Sequence, residues 1–243
     1  MSAIPVVPEA PRRPAAHAEG ELVSRILRGD FVSTGTLPSE RELALVLGVT
    51  RPTLREALQR LDRDGWIQVR HGKATRVRDI WQEGGLNVLA ALLRHGGPFP
   101  PNFVGNLLDV RLALAPAYGR AAVQHHASEV AAMLNAGRPE DKPSSFAAYD
   151  WALHVGLATL SENPVFTLII NGFEGVYRAI APRYFQSKRA RRASAAFYDQ
   201  LGKAAKKRQA GTAEEVLRSA MAESVSLWRA TEARLRRSAR LAS

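Results

Sequence analysis

The chain has 243 residues, 46% hydrophobic and 23% charged, a balance typical of a globular protein with two domains. It contains no cysteine, which excludes disulfides and thiolate metal sites, and no apolar run approaches the ~20 residues of a membrane span. The formal charge of +11 points to polyanionic partners, yet residues 183–243 hold a surplus of ten positive charges and residues 18–78 only three. Net charge alone therefore does not identify the part of the chain that would bind a polyanion. Because the sequence has neither cysteine nor a membrane span, we expect a cytoplasmic protein.

The N-terminal segment of residues 1–17 is rich in Pro and Ala and has no periodicity, so we expect a disordered extension. A short helix is predicted over residues 19–31, with apolar residues on one side. The folded chain is thus expected to begin at about residue 18.

Two capped helices follow. Ser39 is a candidate N-cap for a helix that continues to Leu47, and Glu42 completes a capping box. Thr50 is the candidate cap of a second helix to Asp64, whose apolar stripe consists of Leu54, Ala57, Leu58 and Leu61. Two helices joined by such a tight turn are typical of a helix-turn-helix.

A β-hairpin is predicted after the second helix, because the pattern changes to that of strands. Residues 66–70 and 75–78 flank a turn with Gly72 near its tip. Four Lys or Arg residues and no acidic residue lie between Ile67 and Arg78, which is typical of a DNA-binding wing.

Beyond Asp79 the pattern is helical throughout, so we expect a mainly α protein. The predicted architecture is a winged helix-turn-helix with a small β-hairpin, followed by an antiparallel all-α bundle that senses an effector. The predicted helices cover residues 86–95, 103–125, 127–136, 145–160, 164–181, 189–209 and 212–238. The predicted segments are a winged helix over 18–78, a linker and connecting helix over 79–101, a sensing and dimer domain over 102–238 and a basic tail over 239–243. The helix from Pro164 is apolar nearly all round, so we expect it to be central.

The candidate DNA-reading surface is the first turn of the second capped helix. Arg can bind guanine O6 and N7 with two hydrogen bonds, and Thr suits a phosphate or a thymine methyl. The candidates there are Thr50, Arg51, Thr53 and Arg55. Arg41 is placed to hold the DNA backbone, and His71, Gly72 and Lys73 form the tip of the wing. The alternative is that these basic residues are merely solvated, as we expect for Arg60 and Arg63 beside Glu56 and Asp64.

Arg111 is the most informative residue of the helical part, because it lies on the apolar stripe Leu107, Arg111, Leu114 and Tyr118. A guanidinium on such a face needs an anionic or carbonyl partner. Two alternatives stay open: an internal ion pair, or a contact to the polar head of a ligand. On the last helix Met221, Ser224 and Trp228 share a stripe, which suits either a bound head group or ordinary packing.

The motifs resemble a known family. Leu37-Pro-Ser-Glu-Arg-Glu-Leu, Gly48-Val-Thr-Arg-Pro-Thr-Leu-Arg-Glu-Ala-Leu and the stretch from Leu61 to Gly72 resemble the winged helix of GntR-type bacterial regulators. Asp64-Gly-Trp, Asn106-Leu-Leu-Asp-Val-Arg, Arg183-Tyr-Phe, and Glu223-Ser with Trp228 are similar to the FadR subfamily. The resemblance covers about residues 18–232.

This resemblance implies a homodimer that binds palindromic double-stranded operator DNA through the candidates above. It implies an effector, long-chain fatty acyl-CoA, whose binding releases the DNA, and no other cofactor. It further implies repression of fatty-acid degradation and activation of fatty-acid synthesis genes.

The resemblance also places residues at the effector. Glu223, Ser224 and Trp228 match positions near coenzyme A, and Phe173, Tyr177 and Tyr184 match positions around the acyl chain. With Leu107, Arg111, His154 and Met221, these complete the predicted ligand-binding set.

Two departures bear on ligand choice, since the family has Gly at position 221 and Phe at position 154. His154 with Asp150 forms the Asp-x-x-x-His half of a site found in related regulators that bind a divalent metal and an organic acid. A complete site needs further imidazoles, so we expect no metal, and the metal-dependent regulator remains the alternative. Without Cys or a nucleophile elbow we expect no enzyme.

Overall fold

The computed structural model describes residues 14–32, 34–70, 72–95 and 102–241. The chain divides into two compact units, Met1–Phe99 and Pro100–Ser243. The elements of the first unit are α1 (Pro14–Arg28), α2 (Glu40–Val46), α3 (Arg51–Arg63), β1 (Ile67–Gln68), β2 (Arg76–Val77), α4 (Ile80–Glu83) and α5 (Leu86–His95).

The helix pair α2–α3 forms as the sequence predicts. Ser39 accepts a hydrogen bond from the backbone N–H of Glu42, and the Glu42 carboxylate accepts one from the N–H of Ser39, so the capping box is complete. The hydroxyl of Thr50 accepts from the N–H of Thr53 at 3.3 Å and caps α3. Gly48, between the helices, has φ +63°, a torsion that favours glycine.

The hairpin also forms, although its strands are shorter than predicted. Ile67 pairs with Val77, and Gln68 pairs with Arg76 in antiparallel register. Outside this ladder, the N–H of Arg78 donates to the carbonyl of Trp66 at 3.0 Å. The hairpin therefore begins directly after the end of α3.

The first unit has one hydrophobic core, and it corrects two predicted boundaries. The apolar stripe of α3 is buried in it, together with Val88, Ala91 and Leu92 of α5. Helix α5 therefore packs into this core through these three side chains and is not a free linker. Helix α1 begins at Pro14, so residues 14–17 are helical and not part of a disordered extension; Ala15 and Ala18 are buried. Residues 1–13 lie outside the described residues.

The second unit is entirely helical where it is described. Its helices are α6 (Phe103–Asn135), α7 (Pro143–Leu160), α8 (Pro164–Gly172), α9 (Glu174–Tyr184), α10 (Lys188–Lys206) and α11 (Ala210–Leu241). Two predicted helices are joined in α6, which departs from helical torsions only at His126 (φ −134°, ψ 44°). Helix α11 reaches Leu241, so most of the predicted 239–243 tail is helical.

The predicted 164–181 helix is broken into α8 and α9 at Phe173, next to the weak helix former Gly172. The prediction that it is central is wrong, because the side chains of Val165 and Leu168 are 55% and 68% exposed. One face lines a cavity, as described below, and the opposite face lies at the surface.

Long helices form the core of this unit. Helix α6 packs against α7, α10 and α11, and its Gly119 allows a very close approach of Leu217 on α11. Within the described ranges, no helix combines the length and the apolar character that a bilayer span requires.

Candidate DNA interface and ligand pocket

The predicted DNA-contacting side chains lie on the surface of the first unit. Arg41, Thr50, Arg51 and Arg55 are exposed and Thr53 is half-buried. They surround the N-terminus of α3, where the helix dipole adds attraction for phosphate. Burial of Arg51 or Arg55 against the protein would have contradicted the DNA-reading prediction, and neither is buried.

Arg55 has a partner on the preceding helix. Its Nε donates to the Glu40 carboxylate at 2.8 Å, and the two side chains are 64% and 41% exposed. Exposed pairs of this kind stabilise a fold by only about 0–1 kcal/mol. Arg55 can therefore exchange Glu40 for a phosphate or a base at small cost.

The wing presents Gly72 and Lys73 to solvent, whereas His71 lies outside the described residues. Gly72 has φ +68°, and a Cβ built on it would meet nothing within 4 Å. The turn, and not crowding, requires glycine here.

The solvated face of α3 is also confirmed. Arg60 pairs with Glu56 at 2.6 Å, and Arg63 pairs with Asp64 at 3.0 Å. Local carboxylates hold these two arginines, whereas Arg51 at the start of α3 has no carboxylate partner among the residues that the structure describes.

A pocket of about 860 Å³, its open mouth included, lies in the second unit. Side chains of α6 form one side, and those of α8 and α9 form another. Eight of the ten predicted ligand-binding residues line it: Leu107, Arg111, His154, Phe173, Tyr177, Tyr184, Ser224 and Trp228. Contact with a ligand remains a prediction for each of them.

Sequence reasoning did not assign several other lining residues to the ligand. They are mainly apolar and include Val104, Leu108, Trp151, Ile170, Val176 and Ile180. Most lie three or four positions from a predicted member, so helical periodicity is the signal that finds them. Trp151, three residues before His154, joins them from α7.

A smaller cavity of about 330 Å³ contains the remaining two predicted residues, Met221 and Glu223. Arg111, Tyr184 and Ser224 line both cavities. These shared residues therefore lie between a largely apolar space and a more polar one.

Arg111 forms the internal ion pair that the sequence left open. Its Nη2 donates to Asp150 Oδ2 at 2.6 Å and to His154 Nε2 at 2.5 Å. Burial opposes the charge of Arg111, but Asp150 and the surrounding tyrosines together outweigh it and raise the pKa of the guanidinium.

Asp150 is buried and accepts further hydrogen bonds. The hydroxyl of Tyr177 donates to Oδ2 at 2.6 Å, and that of Tyr198 donates to Oδ1 at 2.9 Å. Burial favours the neutral acid, yet Arg111 and the hydrogen-bonding groups around the carboxylate together outweigh it and hold the pKa of Asp150 below its ordinary value. Burial raises the pKa of both tyrosines, so they remain protonated donors.

His154 is neutral in this cluster. Burial, followed by the charge of Arg111, lowers the pKa of His154 to about 3. Because arginine only donates, Nε2 of His154 is the acceptor and Nδ1 carries the hydrogen. Nδ1–H then donates to the hydroxyl oxygen of Tyr118, 2.5 Å away.

Asp150 and His154 do lie together, as the Asp-x-x-x-His half-site requires. However, the same Arg111 nitrogen contacts both, so a guanidinium lies where a cation would bind. Among the described residues, no group of three or more His, Cys, Asp or Glu side chains could hold a metal ion.

Ser224 and Trp228 face inward on α11, as predicted. The Ser224 hydroxyl donates its hydrogen to the carbonyl of Met221 at 2.7 Å, and its oxygen can still accept a hydrogen bond. Trp228 Nε1 and Arg111 Nε are buried without a hydrogen-bond partner in the described part of the chain.

Comparisons with known proteins identify the families to which the two parts of the chain are similar. The model of the bacterial regulatory proteins of the gntR family matches residues 14–77, and the model of the FadR C-terminal domain matches residues 78–240. The fatty acid metabolism regulator protein of Edwardsiella ictaluri (strain 93-146) is 41% identical over 216 residues, which cover 88% of this chain and 90% of that protein. The protein of the same name from Klebsiella pneumoniae subsp. pneumoniae is 42% identical over 191 residues, covering 78% and 80%.

A solved structure whose title names Lar, a protein that controls expression of the Listeria monocytogenes agr system, has the same fold as this chain. The two structures superpose with a TM-score of 0.60 at 16% sequence identity, and the match covers 90% of this chain and 98% of that chain.

The capped helix pair, the exposed start of α3 and the hairpin define a winged-helix DNA-binding transcription regulator, not an enzyme. The chain belongs to the GntR family of bacterial regulators, in the group whose second domain is the FadR C-terminal domain.

Proposed function

We propose that this regulator controls fatty acid metabolism in the cytoplasm, binds a palindromic operator as a homodimer, and leaves the DNA when a long-chain fatty acyl-CoA binds. Its relatives at about 40% identity are named fatty acid metabolism regulators. Helix-turn-helix dimers bind two half-sites whose symmetry mirrors that of the protein, which supports the dimer.

The apolar pocket of the second unit is the observation that carries the effector proposal. Its lining is almost entirely apolar and includes a few polar side chains, as in small-molecule sites, where a few polar groups fix the orientation of the ligand. The shared wall at Arg111 and Ser224 joins it to a more polar cavity. An amphiphile with a long chain and a polar head matches this pair of spaces.

The test is release of operator DNA. An operator is first selected from random duplexes with the purified protein, and its complex is then titrated with palmitoyl-CoA while fluorescence anisotropy is followed. We expect palmitoyl-CoA to release the DNA and coenzyme A alone to leave it bound. Equal release by both, or release by neither, contradicts the proposal.

Two matched variants separate the pocket from the surface. Val176 is buried and lines the pocket, so Val176→Phe fills space that the acyl chain needs. Val165 is exposed on α8, so Val165→Phe leaves the pocket open. Both variants are expected to bind the operator, and only Val176→Phe is expected to require much more palmitoyl-CoA for release.

A further inference from the structure

The outer face of α10 carries positive charge that neither the candidate DNA interface nor the pocket uses. Six exposed Lys or Arg side chains lie in this helix and directly after it: Lys188, Arg189, Arg192, Lys203, Lys206 and Lys207. At 3.6 residues per turn, these six positions fall within a sector of about 100° around the helix axis, and at 1.5 Å per residue they extend over about 28 Å. They form one straight basic stripe, which we call the α10 stripe.

Local carboxylates do not balance the charge of the α10 stripe. Asp199, the acidic residue on the same face, is paired with Arg138. Asp141 forms its ion pair with Arg191 and interacts with two stripe residues only at longer range. Among the residues that the structure describes, none of the six forms an ion pair of its own. The like charges repel one another, and a polyanion that spans the stripe would relieve this repulsion.

The opposite side of α10 is fixed in the helical bundle. Phe197, Tyr198 and Leu201 are buried, and the helix packs against both α6 and α11. A helix that reads DNA has to enter the major groove, which is about 12 Å wide. Because its neighbours cover the flanks of α10, this helix does not protrude enough to do so. The stripe can meet an opposing surface, but it cannot enter a groove.

A flat anionic surface fits the stripe better than a DNA duplex or a second copy of this chain does. The phosphates of a duplex wind around its axis, so a straight stripe follows one strand only over a short length. A lipid bilayer presents anionic head groups along the whole stripe. A second copy would place positive charge against positive charge. Clusters of about 4–8 Lys or Arg residues on an amphipathic helix are typical of proteins that bind anionic lipid surfaces.

We infer that the α10 stripe docks this protein on an anionic lipid bilayer, such as one that contains phosphatidylglycerol. The contact is electrostatic and peripheral, because Ala196 is the one apolar side chain exposed on this face of α10, and it is too small to insert between lipid chains. The inference goes beyond the proposed function, since it requires neither an operator nor an effector.

Co-sedimentation of the full chain with large unilamellar vesicles tests the inference. The vesicles contain either equimolar phosphatidylglycerol and phosphatidylcholine or phosphatidylcholine alone, in about 0.1 M NaCl, where the Debye length is ~10 Å. We expect the protein to bind the anionic vesicles, to leave the neutral ones unbound, and to be released in about 0.5 M NaCl. Equal binding to both kinds of vesicle would overturn the inference.

Two triple variants remove charge from opposite ends of the stripe: Lys203→Gln/Lys206→Gln/Lys207→Gln and Lys188→Gln/Arg189→Gln/Arg192→Gln. We expect each to bind anionic vesicles at least roughly tenfold more weakly than the wild type, because every Lys or Arg near such a surface adds to the attraction. Circular dichroism checks the fold, and with two variants a folding defect in one does not remove the test. An unchanged vesicle affinity of either folded variant would contradict the role of the stripe.

The matched control is Arg28→Gln/Arg63→Gln/Arg178→Gln. It removes the same three positive charges, but these exposed arginines lie on α1, α3 and α9 and are paired with carboxylates. We expect its vesicle affinity to stay within about twofold of that of the wild type, because paired charges away from the stripe contribute little. An equal loss in the control and in the stripe variants would assign binding to net charge alone, and the inference would fail.

Random duplex DNA is the last probe, because nucleic acid is the other polyanion that a basic surface can bind. Fluorescence anisotropy compares the stripe variants with the control variant, and we expect the same DNA affinity for all of them. If the stripe variants lose affinity for DNA and keep it for vesicles, the stripe is a nucleic-acid contact and the inference is wrong. Release of the operator by palmitoyl-CoA is measured without vesicles, so the proposed function stands or falls separately.

Discussion

At the scale of single residues, the charge of Arg111 is the feature that organises the helical unit. Asp150 neutralises it, two tyrosines donate to Asp150, and His154 accepts from Arg111. Breaking a buried pair by removing one partner costs about 3–5 kcal/mol, because the other charge is left unpaired. Substituting Arg111 alone therefore tests stability as much as ligand sensing.

His154 gives a pH dependence of known sign. Its pKa is about 3 in the fold and about 6.5 when unfolded, so below pH 6.5 the unfolded chain gains a proton that the fold excludes. Stability is therefore lost as the pH falls from about 6.5 towards 3. Between pH 7 and pH 5 the loss from His154 is about 2 kcal/mol. Asp150, whose pKa is also lowered, adds its own loss only at lower pH.

The measurement is urea unfolding of the wild type and of His154→Phe at both pH values. We expect the wild type to lose about 2 kcal/mol more than the variant over this interval. The half-buried His126, whose pKa is raised by hydrogen bonds to Glu162 and Glu129, gives stability the opposite dependence on pH, but it is common to both proteins and cancels. Parallel losses in the two proteins would show that His154 is not neutral in the fold.

At the scale of elements, α8 and α9 show how an apolar helix can lie at the surface. Val165 and Leu168 face outward, while Ile170 and Phe173 line the pocket. The periodicity of the sequence shows which faces of a helix are apolar, but not what covers them. The inner face of α8 and α9 borders an open cavity and not a packed neighbouring helix. The helices α6 and α11 are the opposite case, because their close contact depends on the absence of a side chain at Gly119.

Gly119→Ala is expected to destabilise the helical unit. The added Cβ would lie 1.9 Å from Cδ1 of Leu217, a fully buried side chain with little room to move. Overpacking of this kind costs about 1–3 kcal/mol, more than the ~1 kcal/mol that alanine gains over glycine in a helix. Gly211→Ala, which meets nothing within 4 Å near the start of α11, is the matched control.

Thermal and urea unfolding of the two alanine variants check this expectation. Gly211→Ala should be unchanged or slightly more stable than the wild type, and Gly119→Ala should be less stable. Equal stability of both would mean that α6 and α11 can move apart without loss.

At the scale of the whole molecule, the first unit carries the predicted DNA-binding residues and the second carries the predicted ligand pocket. The positive charge is not concentrated in the predicted DNA-binding unit. Most of the positive surplus lies in residues 183–243, in the helical unit, whereas the side chains predicted to read the operator lie in the first unit, where the surplus is only three. Specific recognition depends on where a few arginines stand, and not on total charge.

Two sets of substitutions test this separation. Arg51→Ala is expected to cost about 1–3 kcal/mol on the operator and to weaken the preference over random DNA. The triple change Lys203→Gln/Lys206→Gln/Lys207→Gln, on the exposed end of α10, is expected to leave operator affinity unchanged within about twofold at 0.15 M salt, where exposed charges are screened beyond ~8 Å. Anisotropy titrations with operator and random duplexes measure both effects. A larger loss from the lysine changes than from Arg51→Ala would assign DNA binding to the helical unit.

The sequence alone determined the parts that depend on local rules. Caps at Ser39 and Thr50, the stripe of α3 and the strand period after Gly65 predicted the winged helix because each signal acts within a few residues. Side-chain type at helical spacing likewise predicted that Arg111, Ser224 and Trp228 face inward.

Only the tertiary structure decided what depends on residues far apart in the chain. It paired Arg111 with Asp150, 39 positions away, an ion pair that the sequence could only offer as one alternative. It also placed α5 in the core of the first unit, broke the 164–181 segment and opened a cavity behind it. Periodicity shows that a helix face is apolar, but the partner of that face is fixed by long-range packing and charge compensation, which no local pattern contains.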